Sequence, residues 1–226
     1  MQKITLLATG SFNPITNGHL LMLEHTKNEI RDQFDVVTGY ISPVNQEYGK
    51  PNLLNSKSRL SMCQLAVLTS NWINVDSWEI NQSPEDMKKL REEAKSDPSF
   101  KGVPTVAVIK HLRDKCKMPI GFVCGADLFM GFENKNWWVD SEIELMVGDY
   151  LFVIERDNNT VEILKQVINK RPILQKLQDK ITFIKPPVRN DVSSSATRKL
   201  LSEDKSIKYL VPDAVANYIL EKSLYK

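Results

Sequence analysis

Six short apolar runs alternate along this chain with stretches of helical spacing, and that alternation restricts the fold more than any other feature. The runs cover residues 4–8, 36–41, 72–75, 120–124, 150–154 and 181–184. They lack the polar–apolar alternation of a half-exposed strand and fit strands buried on both faces of a parallel sheet. Between the first two runs, Leu20, Leu23, Thr26 and Ile30 recur at helical spacing. Further helices are expected over about 57–68, 84–94, 105–115, 195–202 and 213–220. Pro84, followed by Glu85 and Asp86, is a start signal for one of them. Strands that alternate with helices imply an α/β fold, a Rossmann-like doubly wound parallel sheet with a C-terminal helical segment over 193–226. The length of 226 residues suits a single domain. A polar stretch at 92–102 reads as a mobile connection.

In such sheets ligands sit beyond the carboxyl ends of the strands. Polar clusters fall at those ends: Gly10-Ser11, Gly125 to Asp127, Glu155-Arg156 and Asn190-Asp191. Composition narrows the ligand. Thirty basic residues against 28 acidic ones leave a net charge of +2. That is no field for nucleic acid, and no apolar stretch is long enough to cross a membrane. The first apolar run is also too short for a secretory signal. Cys63, Cys116 and Cys124 are odd in number and fit no zinc or disulfide spacing, so buried free thiols in a reducing compartment are expected. An intracellular protein, cytoplasmic or nuclear, follows as the expectation.

Two segments carry chemistry. The first runs Thr9-Gly10-Ser11-Phe12-Asn13-Pro14-Ile15-Thr16-Asn17-Gly18-His19. A strand enters it and a helix leaves it, so backbone N–H groups and the helix dipole face one point, as an anionic phosphate requires. It is neither a Walker loop nor the dinucleotide fingerprint. His19 lies in the first helical turn, where it reaches the same anion. The second segment is Asn190-Asp191-Val192-Ser193-Ser194-Ser195-Ala196-Thr197-Arg198. Its serines cap a helix and leave backbone donors free, and Arg198 brings a guanidinium one turn on. Alone, the first also reads as a Gly-Ser turn followed by a helix-facing histidine, and the second as an N-capped helix with a solvated Arg.

Together they resemble the nucleotidyltransferase superfamily, with its early His-x-Gly-His loop and late Ser/Thr-x-x-Arg helix start. Thr16 stands here in place of the first His. The segments Gly10 to Thr16, Ser42-Pro43-Val44, Cys124 to Leu128, Asn136-Trp137-Trp138, Asn190 to Ser194 and Ser206 to Asp213 are similar to the eukaryotic-type nicotinamide mononucleotide adenylyltransferases. The similarity spans nearly the whole chain. It implies a reaction of ATP with nicotinamide (or nicotinate) mononucleotide, giving NAD or its deamido form and pyrophosphate. A phosphate oxygen is already nucleophilic at neutral pH, so no general base is needed, and the sequence offers no Ser-His-Asp or Cys-His set.

The resemblance further implies that His19 and Arg198 bind the ATP phosphates and stabilise the transition state. Gly10, Ser11, Phe12, Thr16 and Gly18 would form the substrate loop, with Ser193 and Ser194 as donors and Lys50 as a loop lysine for phosphate. Gly125 and Asp127 would hold ribose hydroxyls. Trp137 and Trp138 would offer an aromatic face to the pyridine ring, and Arg156 and Asn190 would complete the nucleotide contacts. Mg²⁺ is expected as cofactor, held by ATP phosphates and water rather than by protein ligands. A homo-oligomer is compatible with the sequence.

One departure stands out. Relatives often carry a further Trp, with a Thr three residues on, after the Trp78-Glu79 pair, where this chain has Ser83-Pro84-Glu85-Asp86-Met87-Lys88. Two other readings therefore stay open: a related transferase with another phosphate acceptor, and a nucleotide-binding, chaperone-like protein of the same fold.

Overall fold

The computed structural model describes residues 1–97, 99–134, 138–156, 160–188 and 190–225. Six strands, β1 (Gln2–Gly10), β2 (Phe34–Pro43), β3 (Ile73–Val75), β4 (Ile120–Gly125), β5 (Tyr150–Ile154) and β6 (Ile181–Ile184), form one sheet in the order β3-β2-β1-β4-β5-β6. Every pairing is parallel. From β1 the chain winds outward to β3, then returns to the centre and winds the other way. The topological switch therefore lies between β1 and β4. The register brings Gly10 level with Pro43, Gly125 with Ile154, and Ile154 with Ile184, so the strands end together on one edge.

The central strand shows why its run is unbroken. Ile4, Leu6 and Ala8 face one hydrophobic cluster while Leu7 faces another across the sheet. On the first side pack α1 (Asn17–Ile30), α2 (Ser56–Ala66), α9 (Ser194–Ser202) and α10 (Asp213–Glu221). On the other lie α3 (Pro84–Ala94), α4 (Thr105–Cys116), α5 (Ala126–Met130), α6 (Asp140–Val147), α7 (Val161–Lys170) and α8 (Pro172–Lys176). In α1 the residues buried are Leu23, Thr26 and Ile30, and the Thr26 hydroxyl donates to the Met22 carbonyl at 2.8 Å, so a polar residue lies in the core at no hydrogen-bonding cost.

Several expectations from sequence shift. The helix expected at 57–68 runs from Ser56 to Ala66, because the Asn55 side chain caps its start by accepting from the Ser58 N–H. The third strand begins at Ile73, not Trp72, whose indole instead donates to Glu24 at 2.9 Å. Helices α5, α6, α7 and α8 are additional to those expected; they are short or highly charged, although Pro172 at the first position of α8 is a start signal of the same kind as Pro84. Of residues 92–102, Glu92 to Ala94 belong to α3. Arg91 donates to the carbonyls of Lys101 and Gly102, and the Ser96 hydroxyl donates to Glu142. Cys63 and Cys124 are buried free thiols as expected, but Cys116, the last residue of α4, is only partly buried. No helix among the described residues is long and apolar enough to cross a membrane.

Candidate active site

The loop from Gly10 to Thr16 leaves β1 at the switch point and delivers His19 into the first turn of α1. Thr16 is the N-cap, fully buried, and its backbone N–H donates to His19 Nδ1 at 3.0 Å. Its hydroxyl lies 2.8 Å from the same nitrogen. Since Nδ1 accepts, the neutral ring carries its proton on Nε2. Burial, followed by the charges of Arg156 and Lys50, lowers the His19 pKa to about 4. His19 is thus a neutral N–H donor at physiological pH.

Phe12 explains how the ring is held. It adopts φ 41°, is 2% exposed, and packs edge-on against His19 with centroids 5.1 Å apart. Its side chain is a wedge against His19. Thr16, buried as well, meets His19 through both its N–H and its hydroxyl. A Cβ on Gly10 would lie 3.3 Å from the Phe12 ring, so the glycine makes room for that wedge.

The second segment docks on the first. Ser193 is the N-cap of α9 and its hydroxyl accepts from the Ala196 N–H. The Ser194 hydroxyl donates to the Pro14 carbonyl at 2.7 Å. The Ser194 hydroxyl thereby spends its proton within the protein, whereas the Ser193 hydroxyl only accepts and keeps its O–H as a donor beside the backbone N–H groups of the helix start. Arg198 Nη1 donates to the Asn13 carbonyl at 2.7 Å and Nη2 to the Ser195 hydroxyl at 3.3 Å. Gly18 allows the approach of the two segments, since a Cβ there would lie 2.7 Å from the Val192 carbonyl oxygen. His19 and Arg198, 179 positions apart, thus reach one loop between two helix starts.

Beside this pole lies a cavity of about 330 Å³ lined by Gly18, Gly125, Arg156 and Asn190 among others. Gly125 ends β4, and a Cβ there would meet nothing nearer than Arg156 Nε at 4.0 Å, so the backbone is open towards the cavity. Arg156, just past β5, pairs with Asp127 at 3.2 Å. Asn190 accepts from the Val192 N–H at 2.9 Å, which holds the loop that forms one wall. Ser11, Lys50, Asp127, Trp138 and Arg198 lie outside this lining. Lys50 is exposed on the loop after β2, near enough for its charge to act on His19. Trp138 is half-buried against Phe132, edge-on at 5.4 Å, and Trp137 lies outside the described residues.

The segment that lacks the family's further Trp is the capped start of α3. Ser83 accepts from the Asp86 N–H, Glu85 and Asp86 are exposed, and Met87 is buried. Trp78 stacks on His111 with centroids 4.5 Å apart. Among the described residues no group of three or more His, Cys, Asp or Glu side chains converges to hold a metal. The pole presents N–H donors and cations, a set that fits phosphate oxygens.

Sequence reasoning missed Arg59. It is fully buried and donates to three backbone carbonyls, those of Leu54 (2.9 Å), Ser11 (3.0 Å) and Val44 (2.8 Å). A signal existed: Arg59, Met62, Cys63 and Ala66 share one helical face, and an arginine on an apolar stripe needs partners. His25, Thr160 and Lys185 also line the cavity without having been singled out.

A parallel sheet with the order 3-2-1-4-5-6, an anion pole at its switch point and an adjoining cavity define a nucleotide-binding α/β protein. Residues 7–200 match the cytidylyltransferase-like family. The sequence is 33% identical to the nicotinamide/nicotinic acid mononucleotide adenylyltransferase of Oryza sativa, over 98% of this chain and 85% of that one. It is 32% identical to the corresponding enzyme 1 of Bos taurus, over 99% and 89%. The fold matches the Plasmodium falciparum nicotinic acid mononucleotide adenylyltransferase complexed with NaAD, with a TM-score of 0.67 and 20% identity over 100% of this chain and 98% of that one. The chain belongs to the nicotinamide/nicotinic acid mononucleotide adenylyltransferase family.

Proposed function

We propose that this protein transfers the adenylyl group of ATP to nicotinamide or nicotinic acid mononucleotide. A phosphate oxygen of the mononucleotide forms a bond to the α-phosphorus, and the bond from that phosphorus to the bridging oxygen breaks. Pyrophosphate leaves with the electron pair, and NAD or its deamido form remains. No proton must be removed from the nucleophile, so the protein's task is to hold two anions in line and neutralise charge on the leaving group.

The observation that carries the reading is the meeting of the His19 donor and the Arg198 guanidinium at the 13–19 loop, beside the cavity below Gly125. In this reading His19 Nε2–H and the α9 backbone donors take phosphate oxygens. Arg198 supplies the fixed positive charge, and Lys50 adds a second from the loop. The cavity takes the adenosine moiety, with Asp127 and Arg156 at its ribose side. The half-buried Trp138 offers the face on which the pyridine stacks. A bound Mg²⁺ would screen the triphosphate and ease departure of pyrophosphate.

Incubation with ATP, Mg²⁺ and each mononucleotide in turn tests the proposal. NAD or its deamido form should appear in one-to-one ratio with pyrophosphate. Absence of both products with both acceptors would sink it, and the ratio of the two rates reads the preference for amide over acid.

A further inference from the structure

We propose that Tyr225 is a positioning residue for adenylyl transfer, acting on Arg198 through Asn13. The inference rests on the reading above and extends it to a part of the chain far from the cavity. Asn13 is 3% exposed and lies midway along the substrate loop. Its backbone carbonyl accepts from Arg198 at 2.7 Å. Its Oδ1 accepts from the Tyr225 hydroxyl at 2.9 Å and from the Leu54 N–H at 3.3 Å. Its Nδ2 donates to the Asn52 carbonyl at 2.9 Å. One buried side chain therefore ties together the substrate loop, the segment that follows Lys50, and the residues beyond α10, while its carbonyl holds the guanidinium.

The chain beyond α10 is built to bring the phenol there. The Leu224 N–H donates to the Ile219 carbonyl at 3.0 Å, and Ser223 and Tyr225 take φ values of 49° and 66°, so the chain folds back on the helix end. Leu224 and Tyr225 then pack on the same hydrophobic cluster as α1 and α2. Two left-handed residues that are not glycine are a cost the chain bears where packing fixes them. A phenol seated this way locks the rotation of the Asn13 amide, since only one orientation lets Oδ1 accept and Nδ2 donate. With the amide locked, the peptide that carries the Arg198 acceptor is fixed as well. The sequence reading did not single out either Asn13 or Tyr225 as a functional residue.

Tyr225→Phe keeps the ring and removes only the donor. Its kcat should fall about tenfold, since small misplacements of a charge-stabilising group are costly to the reacting geometry, while KM for both substrates stays within about twofold. Combined with Arg198→Lys, the losses should not multiply: the double variant should lie within about twofold of Arg198→Lys alone. A merely structural tyrosine would lower the unfolding midpoint and leave kcat per folded molecule unchanged. Tyr225→Phe with a wild-type kcat, or losses that multiply in the double variant, would overturn the proposal. Should the Phe variant not fold, Tyr225→Leu, which also lacks a donor, takes its place in the cycle under the same criterion. Wild-type protein that forms no dinucleotide would instead sink the functional reading itself, so the two failures are told apart.

Discussion

The Thr16 backbone N–H donates to Nδ1 of His19 at 3.0 Å, and this one bond decides what the histidine can do. It makes Nδ1 an acceptor and places the proton on Nε2. Burial keeps the ring neutral down to about pH 4. His19 is therefore a hydrogen-bond donor of constant charge, not a titrating acid. His19→Ala should lower kcat at least about a hundredfold, the usual cost of losing a donor to developing negative charge. The fold should survive. Between about pH 6 and pH 8 the wild-type rate should show no ionisation that disappears in the variant. Steady-state kinetics across that range check both parts, and a limb near the ordinary histidine pKa that vanishes in His19→Ala would contradict the tautomer assignment.

Arg59 yields a prediction about stability. Its guanidinium fills a buried position by satisfying the carbonyls of Ser11, Val44 and Leu54, so it fastens the substrate loop, the end of β2 and the start of α2 together. Arg59→Met keeps volume and apolar contact but strands three carbonyls. We expect a loss of at least about 3 kcal/mol, from a penalty of roughly 1 kcal/mol or more for each. Arg59→Lys should recover only part of it, because one ammonium cannot span the fork. Urea unfolding measures both, and a loss below about 1 kcal/mol in the Met variant would mean the carbonyls are satisfied without it.

How legible this was in the sequence varies with the physics. Both glycine-and-serine segments and the six strands could be read because they rest on local rules: apolar runs, caps and turn residues. The joining of His19 to Arg198 could be expected only from strand-end logic and family resemblance, as no local signal links residues so far apart. The place of Phe12 and Thr16 in the substrate loop follows from the family resemblance alone. Their burial comes from tertiary packing against His19, which spacing does not encode. Asn13 and Tyr225 lie 212 positions apart, and nothing local in either reveals their bond. Arg59 alone was hidden in plain view.

Two glycines at the site should respond oppositely to the same change. A methyl on Gly18 would lie 2.7 Å from the Val192 carbonyl oxygen, a backbone atom with little room to yield. Gly18→Ala should cost about 1–3 kcal/mol and part the two segments, so kcat falls with stability. A methyl on Gly125 meets only the flexible Arg156 tip at 4.0 Å, and the residue lines the cavity. Gly125→Ala should keep wild-type stability and raise KM for ATP at least about fivefold, a penalty of roughly 1 kcal/mol for a displaced contact. Thermal unfolding alongside KM measurement separates the two. A stable Gly18→Ala enzyme with normal kcat would show that the segments are not in tight contact.

The last prediction concerns Glu79, which is 2% exposed with the Ser42 hydroxyl donating to its carboxyl at 3.1 Å. Burial raises its pKa from 4.5 to about 8, against the weaker lowering effects of Ser42, Asn45 and Arg59. Between those values the folded protein holds a proton that the unfolded chain has lost, so stability falls as pH rises through this window. His19 acts in the other direction. Its pKa is about 4 when folded and 6.5 otherwise, so the unfolded chain binds more protons in that interval and stability rises with pH up to about 6.5. The two effects oppose one another below pH 6.5, and that of Glu79 continues from there to about pH 8. Asp76 is pushed lower, and Cys63 and Cys124 higher, so none of them titrates within that upper interval. Wild-type protein should therefore lose on the order of 1–2 kcal/mol between pH 6.5 and pH 8. Glu79→Gln, a permanent mimic of the protonated acid, should flatten that slope and be the more stable protein at pH 8. Urea unfolding of both proteins at the two pH values decides the matter, and a slope that persists in the variant would place the titrating group elsewhere.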